Sequence, residues 1–124
     1  MPCRGIRGAT TASANTKEAI LDATKELLQR IIKANEVEIE DIACVIFTAT
    51  PDLNAEFPAL AAREMGWSQV ALLCCGHEMD VPDSLQQCLR ILMLANTNKR
   101  ADEIIHIYLK EAQGLRAENE QPLV

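Results

Sequence analysis

Aromatic side chains are scarce in this chain, with two Phe, one Trp and one Tyr among 124 residues. The core must therefore be filled by Ile, Leu, Val, Ala and Met, and any aromatic left at the surface carries information. A basic footprint is missing too. At a net charge of −6 the chain lacks the contiguous Lys/Arg face that nucleic acid or an anionic membrane demands. No apolar run reaches the roughly 18 residues of a membrane span, and no signal-peptide core opens the sequence. The five cysteines are odd in number and lack C-x-x-C spacing, and three fall in apolar, strand-like runs. They read as reduced core thiols of a cytoplasmic protein. His77 and His106 are the only histidines, and with Cys74 or Cys75 they give neither zinc spacing nor a facial triad. A Cys75–His77 dyad would point its members in parallel, not at one another. The glycines of Arg4-Gly5-Ile6-Arg7-Gly8 match neither a phosphate loop nor a dinucleotide loop. The chain thus offers charge and hydrogen bonds, but no convincing nucleophile, metal or cofactor site.

What is present begins with Arg90. It lies in Cys88-Leu89-Arg90-Ile91-Leu92-Met93-Leu94, a run that otherwise reads as a buried strand. A guanidinium cannot shed its charge, so left unpaired in an apolar interior it would cost several kcal/mol. An internal carboxylate or an anionic ligand must meet it.

The length fits one domain, taken as residues 1–116, followed by a polar, flexible tail over 117–124. Residues 3–9 suit a strand in which Arg4 and Arg7, an odd number apart, point to opposite faces. Asn15 or Thr16 can cap a helix with Glu18 reaching back; Ile20, Thr24, Leu27 and Ile31 then recur at helical spacing, widened by Leu21, Leu28 and Ile32, until Asn35. Ala43–Ala49 is a continuous central strand stopped by Pro51 and Asp52. A short helix runs from Pro58 to Met65 with Gly66 closing it. Further strands are expected over Val70–Cys75, Leu89–Asn96 and Ile105–Leu109, and a final helical turn over Lys110–Gln113. The order implies an α/β or α+β sheet with its helices on one face. Strands this apolar on both sides imply that a neighbouring subunit covers the other face.

Four polar residues sit in apolar surroundings: Arg7, Glu78, Arg90 and Tyr108. Glu78 could bridge Arg90 as a purely structural pair. Alternatively, two arginines, one carboxylate and a phenol make a receptor for a dianion, because forked guanidinium groups bind carboxylates bidentately.

The segments Arg4-Gly5-Ile6-Arg7-Gly8-Ala9-Thr10-Thr11, Ile46-Phe47-Thr48-Ala49-Thr50-Pro51-Asp52-Leu53 and Ala55-Glu56-Phe57-Pro58-Ala59 resemble the monofunctional chorismate mutases that form a trimeric pseudo-α/β barrel. So do Ala61-Ala62-Arg63-Glu64, Gly66-Trp67, Glu78-Met79-Asp80-Val81-Pro82, Cys88-Leu89-Arg90, Asn96-Thr97, His106-Ile107-Tyr108-Leu109 and Leu115-Arg116. The likeness covers nearly the whole chain in order. It implies an α+β fold: a five-stranded mixed sheet with one long helix and short helical turns, three copies closing a ring with active sites between subunits. The implied activity is the Claisen rearrangement of chorismate to prephenate on the route to phenylalanine and tyrosine. That reaction needs no cofactor, metal or covalent intermediate.

By the same resemblance, Arg90 would meet the ether oxygen as the C–O bond breaks, and Arg7 and Tyr108 would clamp a carboxylate. Glu78 and a neighbouring cysteine would hold the ring hydroxyl. Phe57, Ala59 and Arg63 of the adjacent subunit would form the wall and mouth, with Leu115 and Arg116 closing it from the C-terminal segment. Departures from the pattern are Leu60 in place of a lysine, Ile105 in place of an arginine, Ala117 in place of a proline, and the segment Leu73-Cys74-Cys75-Gly76-His77-Glu78. Counting forward from Trp67 favours Cys74 as the site cysteine, and counting back from Glu78 favours Cys75, which is preferred. Two other readings of the same residues are a trimeric enzyme like the imine deaminases, and a non-catalytic trimer that binds carboxylates.

Overall fold

The computed structural model describes residues 1–115. Arg116 and the expected tail over 117–124 lie outside the described residues.

Helix α1 (Lys17–Asn35) forms where the apolar stripe required it. Thr16 caps its start, its hydroxyl accepting from Ala19 N at 3.1 Å, and Glu36 ends it in the left-handed conformation at φ 53°. Ile20, Leu21, Thr24, Leu27, Leu28 and Ile31 are buried. Asn15, the other candidate cap, instead accepts from the backbone of Asn54 and Ala55 at 2.9 and 3.0 Å, which fixes the loop leading to Phe57.

The strands are β1 (Cys3–Thr11), β2 (Ile42–Ala49), β3 (Ala71–His77), β4 (Cys88–Asn96) and β5 (Ile107–Tyr108), in the lateral order β3-β2-β4-β1-β5. β4 is antiparallel to both its neighbours, whereas β3 and β5 run parallel to β2 and β1. A short helix, α2 (Ala59–Glu64), packs Ala59 and Ala62 into the same core as α1. Gly66 follows it at φ 87°, a conformation that glycine adopts at no steric cost.

One face of the sheet carries this core. Ile6, Val45, Phe47, Ile91 and Met93 meet Leu27, Leu28, Ile31 and Trp67 there, all buried. Gly8 permits the close approach, since a Cβ at that position would stand 2.6 Å from Ile31 Cδ1. Alternation sends Cys44, Ile46, Thr48, Arg90, Leu92, Leu94, Gly5 and Arg7 to the other face. In the single chain that face is uncovered, leaving Leu73 58% and Leu92 37% exposed. Of β4, the odd-numbered residues Leu89, Ile91, Met93 and Ala95 point into the core, and Arg90 lies on the uncovered face with its side chain 41% exposed.

β5 is shorter than the expected Ile105–Leu109 because side chains have taken its backbone bonds. Ile105 N donates to Asn35 Oδ1 at 2.8 Å, and Ile105 O accepts from Asn35 Nδ2 at 2.9 Å. His106 then uses Nδ1 to accept from Arg7 N at 2.9 Å. Only Ile107 and Tyr108 remain to pair with Gly8 and Ala9. β3 runs two residues further than expected, through a bulge: Phe47 pairs with Cys74 but Ala49 with His77, so Cys75 and Gly76 together face Thr48.

Candidate active site

Strand register assembles the site sideways. Tyr108 of β5 lies across from Ala9 of β1, Ala9 from Arg90 of β4, Arg90 from Thr48 of β2, and Thr48 from the Cys75–Gly76 bulge of β3. Directly paired residues share a face, so Tyr108, Arg90, Thr48 and the bulge form one row across the open side. Arg7, two residues before Ala9, projects from that side in the adjacent row, opposite Leu92. Four sequence-selected residues that are far apart in the chain therefore converge.

Past the bulge, Glu78 turns back to the row. Its backbone N donates to Ala49 O at 2.9 Å, its Oε2 accepts from Thr48 Oγ1 at 2.7 Å, and its Oε1 lies 3.0 Å from Arg90 Nε. The Glu78 side chain is 15% exposed and that of Arg90 41%. The Arg90–Glu78 bridge, one of the two readings of these residues, is thus made, but it is not closed. Arg90 Nε is buried, and its N–H is out of line with the carboxylate oxygen, so this buried donor makes no hydrogen bond. The contact compensates charge without using the Nε–H donor. Among the described residues no second acid bridges Arg90.

Cys88 precedes Arg90 on the same face and is buried under Ala112 with Ala9, where Leu85, Tyr108 and Leu115 pack against it. Burial pushes its thiol up to about 11, against the pull of the Arg90 charge, so it stays a neutral partner to the guanidinium. The entry to β4 is fixed upstream. Thr50 Oγ1 accepts from Cys88 N at 3.0 Å and donates to Asp52 Oδ1, while the Asp52 carboxylate accepts from Gln87 N at 2.9 Å.

Beside the row runs a half-open groove of about 280 Å³, lined in part by Thr48, Phe57, Pro58, Cys74 and Cys75. Its lining includes neither Arg90 nor Glu78, and Thr48 is the lining residue whose side chain bonds the Glu78 carboxylate. Phe57 is 68% exposed at its rim, the informative surface aromatic. Of the two cysteines, Cys74 packs partly against the core, and Cys75 is the exposed one in the bulge beside Thr48.

The remaining expected residues lie elsewhere. Ala59 is 2% exposed in its own chain's core, so its methyl group is spent on packing α2 and offers little to a mouth. Arg63 is exposed on α2. Leu115 rests on the Ala9–Cys88–Ala112 cluster, and Arg116 lies outside the described residues. Among the described residues, no group of His, Cys, Asp and Glu stands ready to hold a metal ion, and no helix is long and apolar enough to cross a membrane.

Two contributors were missed in the sequence. Thr48 gave no signal, because threonine is ordinary in strands. His106 was read only as a metal or motif residue, yet its ring substitutes for a strand bond to Arg7. That bond requires Nδ1 to be unprotonated. Burial and the Arg7 charge both lower the His106 pKa below 6.5. A depressed folded pKa means that the stabilisation is complete above about pH 6.5 and is lost as pH falls through the folded value. The Arg7 amide should therefore lose hydrogen-exchange protection on acidification, with a midpoint below 6.5, and His106→Ala should abolish that pH dependence.

Comparison with known proteins agrees with this architecture. A family model described as chorismate mutase type I matches residues 3–119. The chain is 46% identical over 117 residues to chorismate mutase AroH of Bacillus subtilis, covering 94% of this chain and 91% of that protein. To chorismate mutase AroH of Thermus thermophilus it is 48% identical over 118 residues, covering 94% and 96%. The solved structure of a chorismate mutase from Clostridium thermocellum superposes with a TM-score of 0.86 at 48% identity, over 89% of this chain and 97% of that one. With a family model over most of its length and relatives of 46% and 48% identity, the chain belongs to the type I chorismate mutase family.

Proposed function

We propose that this chorismate mutase rearranges chorismate to prephenate in a centre formed by Arg90, Glu78, Arg7 and Tyr108, completed by neighbouring copies in a homotrimer. The observation that carries the assignment is the open ion pair: Glu78 stands 3.0 Å from Arg90 Nε while that N–H finds no aligned acceptor and the side chain stays 41% exposed.

The chemistry asks little of a protein beyond shape and charge. In the Claisen rearrangement the ether C–O bond breaks as a C–C bond forms, with no proton, electron or group exchanged with the protein. Negative charge grows on the ether oxygen. A guanidinium donor aimed at that oxygen in a site closed to water contributes about 3–4 kcal/mol to the transition state. An acceleration of about 10⁶-fold needs roughly 8 kcal/mol, so holding the dianion in its reactive folded form must supply the rest. Arg7 and Tyr108 clamp a carboxylate for that purpose, and Glu78 with Cys75 receives the ring hydroxyl.

One chain supplies the row but not a closed cavity. Phe57 and Arg63 are exposed away from the ion pair, and the open face bares Leu73 and Leu92. Both features are accounted for when an adjacent copy covers the face and brings its Phe57 and Arg63 to the mouth, as the family likeness implies. Leu115 and Arg116 close the remaining side. The uncovered apolar face favours this assembly over a monomer.

The direct test is the loss of chorismate absorbance on adding the purified protein, with prephenate as product. Chorismate that persists at micromolar protein would overturn the assignment and leave a carboxylate-binding trimer as the reading.

A further inference from the structure

We infer that Thr48 is a positioning residue for the rearrangement, holding the Glu78 carboxylate in the one orientation that leaves the Arg90 donors open to substrate. The inference rests on the reading of Arg90 and Glu78 as catalytic groups.

Thr48 stands at the crossing of two structural constraints. It is the direct cross-strand partner of Arg90, and it alone faces the two bulge residues Cys75 and Gly76 on the other side. From there its hydroxyl donates to Glu78 Oε2 at 2.7 Å, while Oε1 faces Arg90 Nε at 3.0 Å. The carboxylate is thereby divided, one oxygen to the hydroxyl and one to the guanidinium. This division has a chemical consequence. A carboxylate and a guanidinium left to themselves favour a two-pronged pair with parallel N–H···O bonds, and such a pair would consume the donors that the ether oxygen needs.

Among the described residues beyond Glu78, no other hydrogen bond to its carboxylate does this work. After the Glu78 backbone bond to Ala49 O the segment leaves the sheet, and Met79 and Val81 are 86% and 52% exposed. The backbone bond fixes where Glu78 begins. The Thr48 hydroxyl fixes where its carboxylate ends. Thr48 also lines the groove that reaches Phe57, so it is placed to report on substrate without contributing to the core.

The experiment compares Thr48→Val, which keeps shape and removes the donor, with Thr48→Ser, which keeps the donor, in the assembled enzyme assayed with chorismate. Thr48→Val should lower kcat/KM by about tenfold or more, the scale of one hydrogen bond to a charged group, and Thr48→Ser should retain activity within about threefold. In a Glu78→Ala background the Thr48→Val penalty should vanish, because there is no carboxylate left to orient. A penalty that persists undiminished in that background, or a serine variant as impaired as the valine one, overturns the positioning role. Thr48→Ala serves as a second donor-free variant should valine disturb the fold by circular dichroism. If Arg90→Ala and Glu78→Ala lower turnover steeply but measurably while Thr48→Val and Thr48→Ala do not, Thr48 alone is misassigned. If Arg90→Ala leaves turnover intact, the underlying reading of the site fails instead.

Discussion

Replacing Arg90 by alanine should lower kcat by about 10³-fold or more, the scale at which a donor to developing negative charge acts in a site sealed from water. The fold should survive. Arg90 projects from the open face with its side chain 41% exposed, and the core beneath is built by Leu89, Ile91 and Met93 from the opposite side of the strand. The cost of the substitution therefore falls on chemistry rather than on packing, apart from a Glu78 carboxylate that loses its counter-charge. Arg90→Lys is the sharper companion. A lysine preserves the charge but not the planar fork or the position of Nε, so it should recover only part of the loss. Stopped assays of chorismate consumption, with circular dichroism as the fold control, settle both. Turnover within tenfold of the parent in Arg90→Ala would remove the electrostatic mechanism even if the activity itself stood.

The second large effect is expected at a distance from any reacting atom. Leu73→Asp should convert the proposed homotrimer to monomers at micromolar concentration and reduce activity at least about tenfold. Leu73 is 58% exposed on β3 at the edge of the sheet, so a single folded chain tolerates a carboxylate there without penalty. An interface that covers this face would have to bury that carboxylate without a partner, at several kcal/mol for every contact in the ring. Activity should follow assembly because, in the proposed trimer, Phe57 and Arg63 reach the site from a neighbouring copy. Sedimentation velocity reads the first consequence, and specific activity measured against protein concentration reads the second. A trimer that persists at full activity in Leu73→Asp would place the interface elsewhere.

The contrast between these two residues indicates what was legible in the sequence and what was not. The α1 stripe was plain because the periodicity of Ile20, Thr24, Leu27 and Ile31 carries its own geometry. Arg90 and Glu78 stood out because charges in apolar runs demand a reason, and their contact was anticipated. A single chain leaves the Arg90 side chain 41% exposed, and its final surroundings could not be read from the apolar run alone. A run of apolar residues looks the same whether both faces are buried within one subunit or one of them waits for another. The length of β5 was misjudged because the Asn35 side chain takes the Ile105 backbone bonds and the His106 ring takes the Arg7 N–H of β1, and no local pattern announces such a substitution. The bulge at Cys75–Gly76 is a two-strand property, invisible to counting along one segment, which is why Cys74 and Cys75 competed when counted from Trp67 and from Glu78.

Because Tyr108, Arg90, Thr48 and the bulge are neighbours through pairing rather than through sequence, what must be preserved over evolutionary time is strand phase. An exposed linker such as residues 79–83 can gain or lose length without shifting the phase of a strand. Deleting a single residue between Cys88 and Arg90 would invert β4, driving the guanidinium among the leucines beneath α1 and carrying an aliphatic chain out in its stead. Lineages descending from this sequence should accordingly tolerate indels between strands and show none within them.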